Sequence, residues 1–377
     1  MRRLHSTLTP AVVHGQAREV LQRVLPWRPY GKSVTVGNLL DLLLTMAASA
    51  ASLFAVVKRF FAFSHETAGR ALRANLPDAE QVVQGLLRGL HETAAFSRRD
   101  YRRRWLLAID THYVAYYGRR TAAVVGGPRK QGTKLFHGYA TAVLLHKGRR
   151  YTVALCPLNP KTKIKPHEIV RTLLEQIAQK GLKLRGVVLD SGFDSGETML
   201  LLQQHRLAYT LPLRRKGNTR NARNRLFEGR HQQVRWAQWY VKNTSRQVRT
   251  RTVLCKTPAK VLLLAFQGWN AVGARNVHQE AARQQRLYQR RFGIETSYRQ
   301  KNQARATTTS RDPVYRLLLE GLGYLIRQLW VVLTEQLNRH RSRVKPAAGR
   351  LTLRQLVDWL LHELTTLHPE KLSIPIP

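Results

Sequence analysis

At 377 residues with 43% apolar side chains, the chain can hold one large domain or two to three ordinary ones and bury a sizeable core, which excludes a disordered protein. Its 64 Lys and Arg against 22 Asp and Glu give +42, a self-repelling charge that calls for a polyanion such as a nucleic-acid backbone. The cations run along the whole sequence, predicting a broad footprint rather than a basic tail; an Arg-rich or ribosome-associated protein is the other reading of charge alone.

The N-terminal MRRLHSTLTPAVVHG has no secretory apolar stretch. Residues 1–100 read as helical, with helical apolar spacing in Val36–Met46, Ser52–Phe61 and Ala79–Leu90. Leu39–Val57 approaches membrane-spanning length, but Asp41, Thr45, Ser49 and Ser52 interrupt it. Two buried helices meeting near Ala48–Ser49 are expected there, and no membrane partner. Ser64 caps a short helix, His65–Asn75, carrying Arg70 and Arg73. Two readings fit this region: a helix-turn-helix-like DNA reader, or a helical bundle with a solvated basic face.

From Trp105 the pattern changes. WLLAIDTHYVAYYG is an apolar run ending in Asp110 followed by an alternating stretch, and GYATAVLLHKGRRYTVALCPL is a hairpin turning at Lys147–Gly148. Pro166 opens a helix over His167–Lys180, LRGVVLDSGF is a buried strand ending at Asp190, Thr198–His205 is helical and Leu207–Leu211 a strand. The order predicts a mixed α/β sheet with acids at strand ends. Residues 212–285 break the pattern with a basic loop that includes Arg214, Arg215, Lys216 and Arg220, then strands over Gln233–Val241, Val248–Cys255 and Val261–Phe266. One helix is expected from about Gln279 past Gln300 and another from Pro313 to Arg339 with a leucine stripe. Ser342–Arg350 reads as a linker and Leu351–Leu367 as a last helix. Cys156 and Cys255 sit in apolar runs without metal-ligand spacing, and read as core residues of a reducing, cytosolic protein.

Acids are scarce, so each raises a question. A carboxylate directly after a buried strand suits the carboxyl edge of a sheet, where α/β sites lie. If the strands bearing Asp110 and Asp190 are neighbours, the two converge, at a cost that a cation relieves. Each also has a bland role: Asp110 capping a turn before Thr111, Asp190 opening a loop. On a helix, Tyr288, Arg291 and Glu295 share a face that Arg299 and Asn302 approach, suiting a metal ligand among phosphate contacts; a surface Arg–Glu pair is the alternative. Asp194 or Ser195 reads as a helix cap with Glu197 in the first turn. His112 and His137 read as structural.

The strand ending IDTHY, the strand ending VVLDSGFDS and the helix YQRRFGIE together resemble the DDE transposases of bacterial and archaeal insertion sequences, in the subgroup with a Tyr-Arg-Glu-Lys helix signature. Tyr288, Arg291 and Glu295 match its spacing; the Lys position falls on Asn302, with Lys301 one residue early. The resemblance, over about residues 100–335, implies a ribonuclease-H-like core (101–211 and 286–340), a β-rich basic insertion (212–285), a helical region binding transposon ends (1–100) and a helical tail (341–377). It implies Asp110, Asp190 and Glu295 as catalytic metal ligands for two Mg²⁺ ions, with Mn²⁺ substituting, about 3.5–4 Å apart. It implies DNA contacts by Tyr288, Arg291, Arg299 or Lys301, and by Arg214, Arg215 and Lys216. Aromatic residues of such insertions handle flipped or hairpin bases in some relatives, making Trp269 and Trp239 candidates beside the reading of core tryptophans. The expected activity is cut-and-paste transposition of double-stranded DNA by a homodimer in a prokaryotic cytoplasm, at the nucleoid. A structure-specific nuclease and a non-catalytic transposase-derived DNA-binding protein are the alternatives.

Overall fold

The computed structural model describes residues 8–146, 148–158, 165–217, 222–241, 244–257, 260–269, 277–341 and 351–371. The chain divides into two units, one formed by the segments up to Phe96 and from Ser297, the other by Ser97–Thr296.

The first unit is helical. It opens with α1 (Pro10–Gln22), α2 (Val36–Ala48), α3 (Leu53–Phe60), α4 (His65–Asn75) and α5 (Ala79–Ala94). A Ser, Thr or Asp stands before each, and its side chain accepts a first-turn N–H; Ser64 does so from Thr67 at 3.2 Å, as its position predicted. The apolar stretch 39–57 is split between α2 and α3, which bend by 115° at the break. Its acid, Asp41, is buried and accepts hydrogen bonds from His14 at 2.9 Å and His368 at 3.0 Å. Burial alone would raise its pKa; those bonds and the charge of Arg18 outweigh burial and hold it below the ordinary value.

The second unit is built on a sheet. After the short α6 (Arg98–Arg102) come β1 (Arg104–Ala115), β2 (Val125–Lys130), β3 (Thr133–His146), β4 (Arg149–Leu158), α7 (Pro166–Gln179), β5 (Lys183–Leu189), α8 (Gly196–Gln204) and β6 (Ala208–Pro212). The short α9 (Ala222–Arg225) precedes β7 (Val234–Tyr240), β8 (Gln247–Thr257) and β9 (Lys260–Gln267), and then α10 (Val277–Gln289) and α11 (Phe292–Lys301). The strands lie in the order β2-β3-β1-β5-β6-β9-β8-β7, with β4 on β3. β1, β5 and β6 are parallel neighbours, and the other pairings are antiparallel. The β3–β4 hairpin forms as read, its pairing closing at His146↔Arg149; Lys147 lies outside the described residues and Gly148 takes φ +81. Strand β2 had no sequence signal, because VGGPRK has neither alternation nor an apolar run.

The strands expected in 212–285 form and join the same sheet through β6↔β9, so the β-rich segment extends the core sheet, but one expectation changes. The helix expected from Gln279 past Gln300 is broken at Arg290–Arg291, where Arg291 N–H donates to Tyr288 O and Ile294 N–H to Arg291 O. Ser195, rather than Asp194, caps α8 by accepting from Thr198 N–H at 3.0 Å.

The chain ends in α12 (Pro313–Arg341) and α13 (Leu353–Leu367), both in the first unit. The predicted stripe of Leu317, Leu318, Leu322, Leu325, Leu329 and Leu333 is buried throughout. Gly321 lets α12 approach α5 closely: a Cβ there would stand 2.3 Å from Leu86. Pro313–Asn338 is long and apolar enough to cross a membrane, yet 78% of its most apolar stretch is buried within the fold. Arg220 and residues 342–350 lie outside the described residues.

Candidate active site

The site follows from strand register. β1 and β5 pair in parallel up to Ile109↔Leu189, so Asp110 and Asp190 are the next residues on adjacent strands. Asp110 does not end its strand, as the sequence reading had it; β1 runs on along β3, with Asp110 opposite Thr141. Nor does it cap a turn, although its Oδ1 accepts from Thr111 N–H at 2.8 Å. Glu295 enters from the first turn of α11.

One guanidinium joins the three. Arg291 Nη1 lies 2.9 Å from Asp110 Oδ2, and its Nη2 lies 2.7 Å from Glu295 Oε1 and 3.8 Å from Asp190 Oδ1. Arg291 is 5% exposed, whereas the Asp190 and Glu295 side chains are about one-third open to solvent. Tyr288 completes the cluster, with the guanidinium 5.4 Å from its ring centre. The break between α10 and α11 therefore keeps the predicted Tyr288–Arg291–Glu295 grouping, but turns Arg291 inward instead of presenting it for phosphate contact.

The electrostatics are unbalanced. Burial pushes the Asp110 carboxyl up to about 7; Arg291 opposes this, while Asp190 and Glu295 reinforce it. The Arg291 pKa is raised despite burial, by the surrounding Asp110, Tyr288, Asp190 and Glu295. Three carboxylates around one cation leave a net negative site when all are ionised, and a divalent cation would favour the charged form of Asp110.

Among the described residues, no group of three acids, His or Cys is placed to hold a metal ion as it stands. The donor set nonetheless fits one: its anionic groups are all carboxylates, the oxygen donors a hard divalent ion prefers, and they already converge on a positive charge.

The other expected DNA contacts lie elsewhere. Arg214, Arg215 and Lys216 are exposed, as a basic loop requires. Buried Asp194 anchors that loop, accepting from Arg214 N–H at 2.8 Å and pairing with Arg223, while the Lys216 ammonium donates to its backbone carbonyl. Arg299 is exposed on α11. Lys301 is fully buried and paired with Glu320, so its ammonium is not presented to a ligand; Asn302, at the position of the family lysine, is exposed but uncharged.

Trp269 is likewise a core residue. It is 7% exposed, and its Nε1 donates to Tyr209 O and Thr210 Oγ1, both at 2.9 Å. Gly186 makes room for its ring, since a Cβ there would lie 2.4 Å from it. Trp239 is half-buried beside Arg223, with the guanidinium 5.3 Å from its ring. The exposed tryptophan is Trp236, which the sequence reading did not single out: it is 58% exposed, with the Arg249 guanidinium 4.6 Å from its ring. Alternation in QVRWAQWYV shows which residues share a face of β7 but not which face meets solvent. His137 is buried edge-on against Tyr116, as a structural histidine would be.

The fold has known counterparts. It is similar to the piggyBac transposase synaptic complex with hairpin DNA, solved by cryo-electron microscopy, at TM-score 0.54 and 12% identity over 97% of this chain and 73% of that one. That likeness is one of fold, a ribonuclease-H-like mixed sheet with flanking helices. No curated protein sequence matches the chain. The family model described as "Transposase DDE domain" matches residues 101–312, more than half of the sequence and the whole span from Asp110 to Glu295, and the chain therefore belongs to the DDE transposases.

Proposed function

We propose that this DDE transposase serves a prokaryotic insertion sequence of the Tyr-Arg-Glu-Lys subgroup, binding double-stranded transposon ends and moving them by cut-and-paste. The observation that carries this reading is the convergence of Asp110, Asp190 and Glu295 on buried Arg291 within a chain of charge +42. The three carboxylates would hold divalent ions, Mg²⁺ or Mn²⁺, which would activate an attacking oxygen and neutralise charge on the leaving one. In cleavage, a water oxygen bonds to phosphorus as the bond to the 3′ oxygen breaks, leaving a 3′-OH and a 5′-phosphate. In joining, that 3′-OH attacks a target phosphodiester, and the target's own 3′ oxygen leaves. Arg291 orients Asp110 and Glu295 through charge-assisted hydrogen bonds, and Tyr288 packs against its guanidinium, restricting water on that side. The transposase of similar fold was solved as a synaptic complex with hairpin DNA, which fits DNA ends as the partner here, and we propose that a homodimer holds them in pairs.

Replacing Asp110, Asp190 or Glu295 singly by Ala should abolish strand cleavage in Mg²⁺ or Mn²⁺ while leaving end binding within a few-fold of wild type. The check is a gel assay on labelled terminal DNA, followed by strand transfer from precleaved ends. Cleavage surviving all three substitutions would sink the site assignment, and cleavage without joining would make the chain a nuclease on the same core.

A further inference from the structure

A second charged feature of the sheet unit is used by nothing in the mechanism above. A cleft of about 750 Å³ opens beside the start of β1, lined by Arg103, Arg104, Arg149, Arg150, Arg185 and Arg290. These come from separate stretches of chain: the α6–β1 junction, the β3–β4 hairpin, β5 and the end of α10. No acid lines the cleft among the described residues. Asp100 serves Arg103 at 3.4 Å and lies near Arg149, but among the described residues Arg104, Arg185 and Arg290 have no acidic partner. Partial burial, with Arg290 and Arg283 as like-charged neighbours, lowers the pKa of Arg185, and burial lowers that of Arg150. A fold gathers six guanidiniums along a cleft without an acid in its lining, at such a cost, where an anion neutralises them.

The cleft is placed in relation to the carboxylates. Arg290 lines it, while the next residue, Arg291, is turned inward among Asp110, Asp190 and Glu295. Phe292 also borders it and is 45% exposed. Along β1, Arg104 and Asp110 are six residues apart, roughly 20 Å at about 3.3 Å per residue. One strand of duplex DNA carries a charge every ~3.4 Å of axis, so this distance corresponds to about six phosphates. The remaining polar lining, such as His146, Gln289 and Thr296, contains no acid, so nothing there offsets the guanidinium charge available to backbone phosphates.

We infer that this arginine cleft is a second DNA site, which grips consecutive backbone phosphates of a strand several nucleotides from the phosphodiester reacting at Asp110, Asp190 and Glu295. The inference rests on the DNA-processing reading above. It separates the two tasks: the carboxylates select the reacting phosphodiester, and the cleft sets the path of the strand beyond it.

The test uses the full-length chain carrying Arg185→Gln with Arg290→Gln, two solvent-accessible residues with no acidic partner among the described residues, so that core packing is left intact. Binding of a generic 40-base-pair duplex is followed by fluorescence anisotropy across KCl concentrations without divalent ions. Each lost phosphate contact lowers the slope of log affinity against log salt by about 0.9, so the double variant should lose about 2. Arg185→Lys with Arg290→Lys should restore most of the wild-type slope. An unchanged slope in the Gln variant overturns the inference. So does inorganic triphosphate raising the melting temperature of wild type but not of the variant while the duplex slope stays put, because the cleft is then a small-polyphosphate site. Wild-type cleavage and joining with an unchanged variant slope would remove the cleft alone; a wild type that binds no duplex would remove the DNA reading itself.

Discussion

Lys301 shows how one position changes meaning between sequence and structure. In the sequence it stands one residue from the place of a family lysine, and so reads as a DNA contact. In the fold it is fully buried, paired with Glu320 and 5.2 Å from the Tyr324 ring centre. Burial lowers its pKa and Glu320 opposes the shift, so the charge depends on the partner. Removing one member of such a pair strands the other, whereas replacing both with apolar groups can be neutral or stabilising. Lys301→Met should therefore cost about 3–5 kcal/mol in urea unfolding, and Lys301→Met with Glu320→Leu should recover most of it. The double variant should also bind DNA with the wild-type salt slope. A stable Lys301→Met protein with weakened DNA binding would return Lys301 to the interface.

Elements were legible where pattern and punctuation agreed. Ser64 capping His65–Asn75, the leucine stripe of α12 and the β3–β4 hairpin were all readable, because capping, 3.6-residue spacing and alternation are local. The break between α10 and α11 was not readable: QRRFGIE contains no proline, and the inward-turned Arg291 meets Asp110, a carboxylate 181 residues away in sequence, as well as its neighbour Glu295. The two aspartates were read as strand-end acids, which holds for Asp190 but not for Asp110, and their adjacency across β1 and β5 awaited the register. The face of an edge strand is also settled only by tertiary packing. On β7, alternation puts Trp236 and Tyr240 on one side, 58% and 67% exposed, with Arg249 and Arg251 close to the Trp236 ring. A base stacked on an aromatic side chain contributes roughly 1–3 kcal/mol. Trp236→Ala should thus weaken binding of hairpin or single-stranded DNA by about that amount, measured by anisotropy, and leave the melting temperature nearly unchanged. Trp269→Ala should do the reverse, costing about 3–5 kcal/mol of stability through a core cavity. Equal binding losses from both would leave the edge strand without a special role.

The net charge of +42 acts on folding and on binding with opposite dependence on salt. Buried acids are already committed: Asp41 to His14 and His368, Asp194 to the basic loop, Glu320 to Lys301 and Asp110 to Arg291. Few acids remain to offset the exposed cations, so the folded chain repels itself, and screening relieves that repulsion. Thermal stability of the free protein should therefore rise as KCl is increased from low to moderate concentration. DNA binding should move the other way, because each neutralised phosphate releases counterions whose release is less favourable in salt. With several phosphate contacts engaged, affinity should fall by about 10³–10⁵ between roughly 50 and 200 mM salt. Differential scanning fluorimetry and duplex anisotropy over the same KCl series would measure both. Adding duplex at low salt should raise the melting temperature more than the same duplex does at high salt, since bound phosphates and mobile ions neutralise the same charges. A melting temperature that falls with salt, or an affinity flat across this range, would mean that the exposed cations are balanced within the protein rather than held for DNA.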